Sequence, residues 1–128
     1  MARSKHFLVG LRGTLLGGLF GSLVLGIPLV APGLAQVSDT QLRAANLARM
    51  KAEQLNGGLT NYFPANCMYI QGGGNCIEES NANGYLFKFL GGPPGWEGNK
   101  QAATVETKIL IAPDGRTVTS VLNNGVPK

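Results

Sequence analysis

The sequence predicts an α+β domain: one N-terminal helix packed on an antiparallel sheet of about four to five strands, in two layers. Three observations predict it. Apolar residues recur at helical spacing only once, between Ser38 and Asn56. From Leu59 onward the pattern alternates, in runs rich in β-branched and aromatic residues. Short turn signals join those runs with no second helix between them, so the strands run antiparallel and the one helix covers a single face.

Residues 1–35 read as a leader rather than as part of that domain. Arg3, Lys5 and Arg12 give a basic start, Thr14–Val30 carries no charge, and small residues stand at Gly33 and Ala35. This is the layout of a secretory signal cut between Ala35 and Gln36. The rival reading is an uncleaved anchor, because with Phe7-Leu8-Val9 the run approaches the roughly 20 residues that span a bilayer. Five glycines within Gly10–Gly21 weaken such a helix by about 1 kcal/mol each relative to alanine. Pro28 and Pro32 break it further. The expected organisation is therefore a cleaved signal, 1–35, and a single small α+β domain, 36–128.

Three of the four net positive charges belong to the leader. Three of the eleven basic residues lie there, which leaves eight against seven acidic ones beyond it. A nearly balanced domain with scattered bases offers no footprint for nucleic acid. A domain of this size buries roughly 60% of the surface its unfolded chain exposes, so its stability is modest.

Ser38–Asn56 is the helix. Ser38 and Gln41 have capping-box spacing, and Asp39 puts negative charge at the positive end of the helix dipole. Ala44, Ala45, Ala48, Ala52 and Leu55 fall on one face, with Arg43, Asn46, Arg49 and Glu53 opposite. Gly57-Gly58 supplies the stop. An alanine stripe suits close packing on a sheet. A partner-binding amphipathic helix is the alternative.

The strands follow in order. Thr60–Ile70 is interrupted by Pro64, so its second half is the expected strand. Cys76–Ser80 is short. Tyr85–Leu90 puts Tyr85, Phe87 and Phe89 on one face. Thr104–Ile111 does the same with Val105, Thr107, Ile109 and Ile111, and Thr117–Leu122 closes the set. Asn83-Gly84 marks a short hairpin, and Pro113-Asp114-Gly115 a type I turn with a glycine bulge.

Cys67 and Cys76 are expected to form a disulfide, since an even pair beyond an export signal matures in oxidising surroundings. Two buried thiols are the alternative. Placed as facing residues of a hairpin with Gln71-Gly72 at the turn, they form a non-hydrogen-bonded pair, where side chains lie closest. Closing a loop of about ten residues contributes roughly 2.5–3 kcal/mol. Eight residues between the cysteines is not the spacing of a redox pair.

The residues beyond the leader give little chemistry. They include no histidine, since His6 lies in the leader, so Ser38, Ser80 and Ser120 lack the usual base. Two cysteines without histidine do not complete a metal shell, and no metal or cofactor is expected. Glu78 and Glu79 are adjacent and point to opposite faces of a strand. Gly72-Gly73-Gly74 lacks the helix and lysine of a phosphate cradle. The expectation is a protein that is not an enzyme. A hydrolase working through carboxylates alone is the remote alternative.

One patch stands out: Gly91–Glu97 holds the only tryptophan, Trp96, on a loop stiffened by Pro93 and Pro94. A rigid loop presenting an amphipathic ring is a common way to meet a partner, and Tyr62 is a candidate to join it. The competing reading folds Trp96 back to cap the sheet.

The pieces Ala45–Gly58, Cys67-Met68-Tyr69 and Leu90–Trp96 resemble small exported cyanobacterial proteins of unknown function. That resemblance implies a location, the periplasm or thylakoid lumen, with the extracellular space as a third choice. It brings no activity. The helix-then-sheet order is also similar to cystatin-like sandwiches, a likeness of fold alone. The expected function is a non-enzymatic exported module that binds an unknown protein or small ligand through the loop around Trp96. It would bind no nucleic acid and meet a membrane only through an uncleaved leader. The alternative is a membrane-tethered structural or assembly protein of pilin-like kind.

Overall fold

The computed structural model describes Gly26 and residues 36–128, so the rest of the leader, with Ala35 of the cleavage site, lies outside the described residues. Helix α1 runs Asp39–Leu55, and Ser38 caps it, its Oγ accepting from the Gln41 amide over 3.2 Å. The Gln41 side chain does not return the bond. Its Nε2 donates to the Gly72 carbonyl at 3.0 Å, tying the helix start to a distant loop. At the far end the Gly58 amide reaches back to the Glu53 carbonyl at 2.8 Å, the long bond of a Schellman stop. Ala44, Ala45, Ala48 and Ala52 form the buried stripe. Leu55 shares their face by angle but sits in the last turn, where it is 42% exposed.

Five strands make one antiparallel sheet: β1 (Phe63–Pro64), β2 (Ile77–Asn81), β3 (Gly84–Gly92), β4 (Val105–Ile111) and β5 (Val118–Gly125). β4 pairs along one edge of β3, from Tyr85 opposite Ile111 to Gly91 opposite Val105. The other edge is shared in tandem, β2 meeting the start of β3 and β1 its end. β5 extends the sheet beyond β4. Phe87, Phe89, Thr107, Ile109 and Ile111 are buried in the core with the alanine stripe of α1. Their alternates face away, where Lys88 pairs with Glu106 and Lys108 with Glu78. The expected α+β fold of one helix and an antiparallel sheet is thus the observed one.

Three local expectations are corrected. The strand within Thr60–Ile70 lies in its first half, as β1, and the second half winds into a 3₁₀ turn over Asn66–Tyr69. Pro64 does not interrupt β1. It pairs with Gly91 at the sheet edge, where a missing N–H is tolerated. The β2–β3 turn is Ala82-Asn83 rather than Asn83-Gly84, because the Asn81 Oδ1 accepts from the Asn83 amide at 2.8 Å and closes the chain one residue early.

The third correction concerns the cysteines. Cys67 and Cys76 are disulfide-bonded, with Cα atoms 5.8 Å apart, but no hairpin carries them. Gln71–Cys76 is a second 3₁₀ segment kinked by Gly72, Gly73 and Gly74, all at positive φ. The glycines are not a loop tip. Gly73 is buried against the core, and a Cβ there would stand 2.6 Å from Phe87 Cε1. Glycine is needed for close approach and for φ together. The Pro113-Asp114-Gly115 turn forms as expected, with the Gly115 amide donating to the Ala112 carbonyl at 2.8 Å and Gly115 at φ 71.

Candidate functional site

The loop between β3 and β4 is built by its own backbone. The Trp96 amide donates to the Pro93 carbonyl at 2.9 Å, and the Gln101 amide to the Trp96 carbonyl at 2.8 Å. Thr104 returns the chain to the sheet through its amide on the Gly91 carbonyl, at 2.9 Å. These bonds turn the indole inward. Trp96 is only 7% exposed, and its Nε1 donates to the Phe63 carbonyl of β1 at 2.9 Å. A Cβ on Gly92 would stand 2.9 Å from the ring, so the bare backbone is what admits it.

Of the residues singled out in sequence, Trp96 is folded back on the sheet rather than standing clear of it. Pro93 and Pro94 are exposed on the outer side of the loop. Tyr62 is 2% exposed and packs against Gly91, where any side chain would collide with its ring. Its hydroxyl is buried and makes no hydrogen bond of sound geometry among the described residues. Burial pushes the phenol up to about 12, with the nearby Thr107 hydroxyl offsetting part of the rise.

What the loop does create is an open cup of about 240 Å³, lined by Phe63, Pro64 and Asn66 on one side and by Trp96, Glu97 and the loop glycines on the other. The Asn66 amide donates to Glu97 Oε2 at 2.7 Å, fixing the carboxylate at the cup. Trp96 forms part of the wall. Tyr62, Pro93 and Pro94 do not line it. Asn66 went unnoticed in sequence, because the two-residue strand that brings it to the loop has no periodic signature. Glu97 was visible as the end of the aromatic loop and as a carboxylate that sequence could not place beside Glu106.

The other candidate groups are dispersed. Glu78 Oε2 lies 3.3 Å from Lys108 Nζ, and Glu79 accepts weakly from Asn81 at 3.4 Å. Both are exposed on β2, and neither reaches the cup. Among the described residues, no three acidic, histidine or cysteine side chains converge as a metal set.

Fold and site together define a small α+β domain with a disulfide-tied loop beneath its helix and a cup beside its sheet. The disulfide is consistent with an oxidising, exported compartment, and among the described residues no helix is long and apolar enough to cross a membrane. Compared with known proteins, the chain matches no family model, no curated protein and no solved structure.

Proposed function

We propose that this chain is a non-enzymatic binding module, exported to the periplasm or thylakoid lumen, whose contact site is the cup around Trp96. One observation carries the reading. Apolar walls from Phe63, Pro64 and Trp96 stand beside a carboxylate that accepts from a backbone amide. Rigid apolar walls with one convergent polar group are the general form of a recognition site. The cup is smaller than the roughly 300 Å³ at which ordinary small-molecule pockets begin, so its guest is a single side chain or a comparable fragment. The basic leader, the apolar run and the disulfide support export.

Gly98 offers the test. It lines the cup, and only the Gly95 carbonyl oxygen, at 3.9 Å, lies within 4 Å of a Cβ placed there. Gly98→Phe adds a bulky side chain to the cup's lining and removes nothing from the core. Capture of a partner from the native compartment by the wild type, lost in Gly98→Phe, supports the reading. Equal capture by both removes the cup from it. N-terminal sequencing of the native protein separates the soluble module from the tethered alternative, because a start at Gln36 leaves no anchor.

A further inference from the structure

We propose that the cup around Trp96 accepts a basic side chain, lysine or arginine, from a protein partner. This rests on the cup being the contact site, and adds the chemistry of what enters it. The first support is charge. Among the described residues the ion pairs are Arg49–Glu53, Lys88–Glu106 and Lys108–Glu78, and Glu97 takes part in none of them. Its Oε2 accepts from the Asn66 amide, which orients the carboxylate and leaves Oε1 for a guest.

The second support is the wall. Phe63, Pro64 and Trp96 present apolar surface, and the indole N–H is already spent on the Phe63 carbonyl. Lysine and arginine are the side chains whose stems lie along apolar surface while the head stays charged and wet. A purely apolar guest would cover the Glu97 carboxylate and leave it unpaired, which is unfavourable. An acidic guest would meet like charge. The stem-and-head shape matches the cup at both ends.

The experiment titrates the isotope-labelled full chain with a blocked Gly-Lys-Gly peptide and with the same peptide acetylated on lysine. The readout is the Trp96 indole N–H resonance. Acetylation keeps the stem and removes the charge. The inference expects the lysine peptide to bind, read on that resonance, about 1.5- to 5-fold more tightly than the acetylated one, the range of an exposed ion pair. In Glu97→Gln, whose amide oxygen still accepts from Asn66, the preference should vanish. Equal binding of the two peptides to the wild type, or an undiminished preference in Glu97→Gln, overturns the basic-guest inference and leaves the cup standing. No shift with either peptide, alongside an unchanged spectrum in Gly98→Phe, overturns both.

Discussion

Asn56 and Asn124 exchange their side-chain amides. Asn56 Nδ2 donates to Asn124 Oδ1 at 3.0 Å, and Asn124 Nδ2 returns a bond to Asn56 Oδ1 at 3.1 Å. Asn56 also donates to the Ala52 carbonyl at 2.8 Å, and Thr107 Oγ1 donates to Asn124 Oδ1 at 2.8 Å. One amide pair therefore joins the helix cap to β5 and, through Thr107, to β4. The alanine stripe supplies contact without direction, whereas this pair fixes where the end of α1 sits on the sheet.

Asn124→Ala removes the partner of two donors and one acceptor at once. Leaving part-buried polar groups unpaired costs about 1–3 kcal/mol, and each kcal/mol lowers the melting temperature of a domain this size by roughly 4–8 °C. Thermal unfolding should show that loss. The double variant with Asn56→Ala should lose clearly less than the two single losses added together, since both delete the same pair. Simple additivity would mean the amides do not hold the cap.

Reducing the Cys67–Cys76 bond should destabilise the domain by about 2.5–3 kcal/mol, from the entropy of a short closed loop. Chemical denaturation with and without reductant measures it. Cys76 is buried beside the core rather than presented in an electropositive opening, so the reduced pair should show no thiol-exchange activity. Turnover of a disulfide substrate would contradict this structural role.

The centre of the sheet was legible because β3 and β4 each bury one face. Phe87 and Phe89 on β3, and Thr107, Ile109 and Ile111 on β4, are buried, with Lys88, Glu106 and Lys108 among their alternates, and alternation is what a sequence displays. The glycine run at 72–74 was misread because a loop tip and a close backbone packing carry the same letters. Only the neighbours Phe87 and Ala45 distinguish them. The position of Trp96 was illegible for a different reason. Its indole partner, Phe63, stands 33 residues earlier and reaches it through β1, which is too short to announce itself.

That distinction between packing and conformation is testable at Gly73 and Gly58. Both have positive φ, 90 and 82 respectively, so alanine at either pays a backbone penalty of about 1–2 kcal/mol. At Gly58 a Cβ meets nothing within 4 Å, whereas at Gly73 it meets Phe87 and Ala45. Overpacking a filled core adds about 1–3 kcal/mol. Gly73→Ala should therefore be the more destabilising by that margin in a denaturant titration. Equal losses would show that the loop at 72–74 is not pressed into the core.

The buried phenol of Tyr62 makes the fold less stable in alkali. Its pKa rises from 10.0 in the unfolded chain to about 12 in the fold, because burial disfavours the phenolate. A folded pKa above the unfolded one means the native state holds its proton more tightly. The stability this brings is fully present below pH 10 and is lost as the pH climbs toward 12. Stability measured across that window should fall by on the order of 2–3 kcal/mol on account of this group. Tyr62→Phe removes the ionisation and with it that slope. At neutral pH the same change should cost little, because among the described residues the hydroxyl it deletes makes no hydrogen bond of sound geometry. A variant as sensitive to alkali as the wild type would place the titrating group elsewhere, and a large loss at neutral pH would mean the hydroxyl is bonded after all.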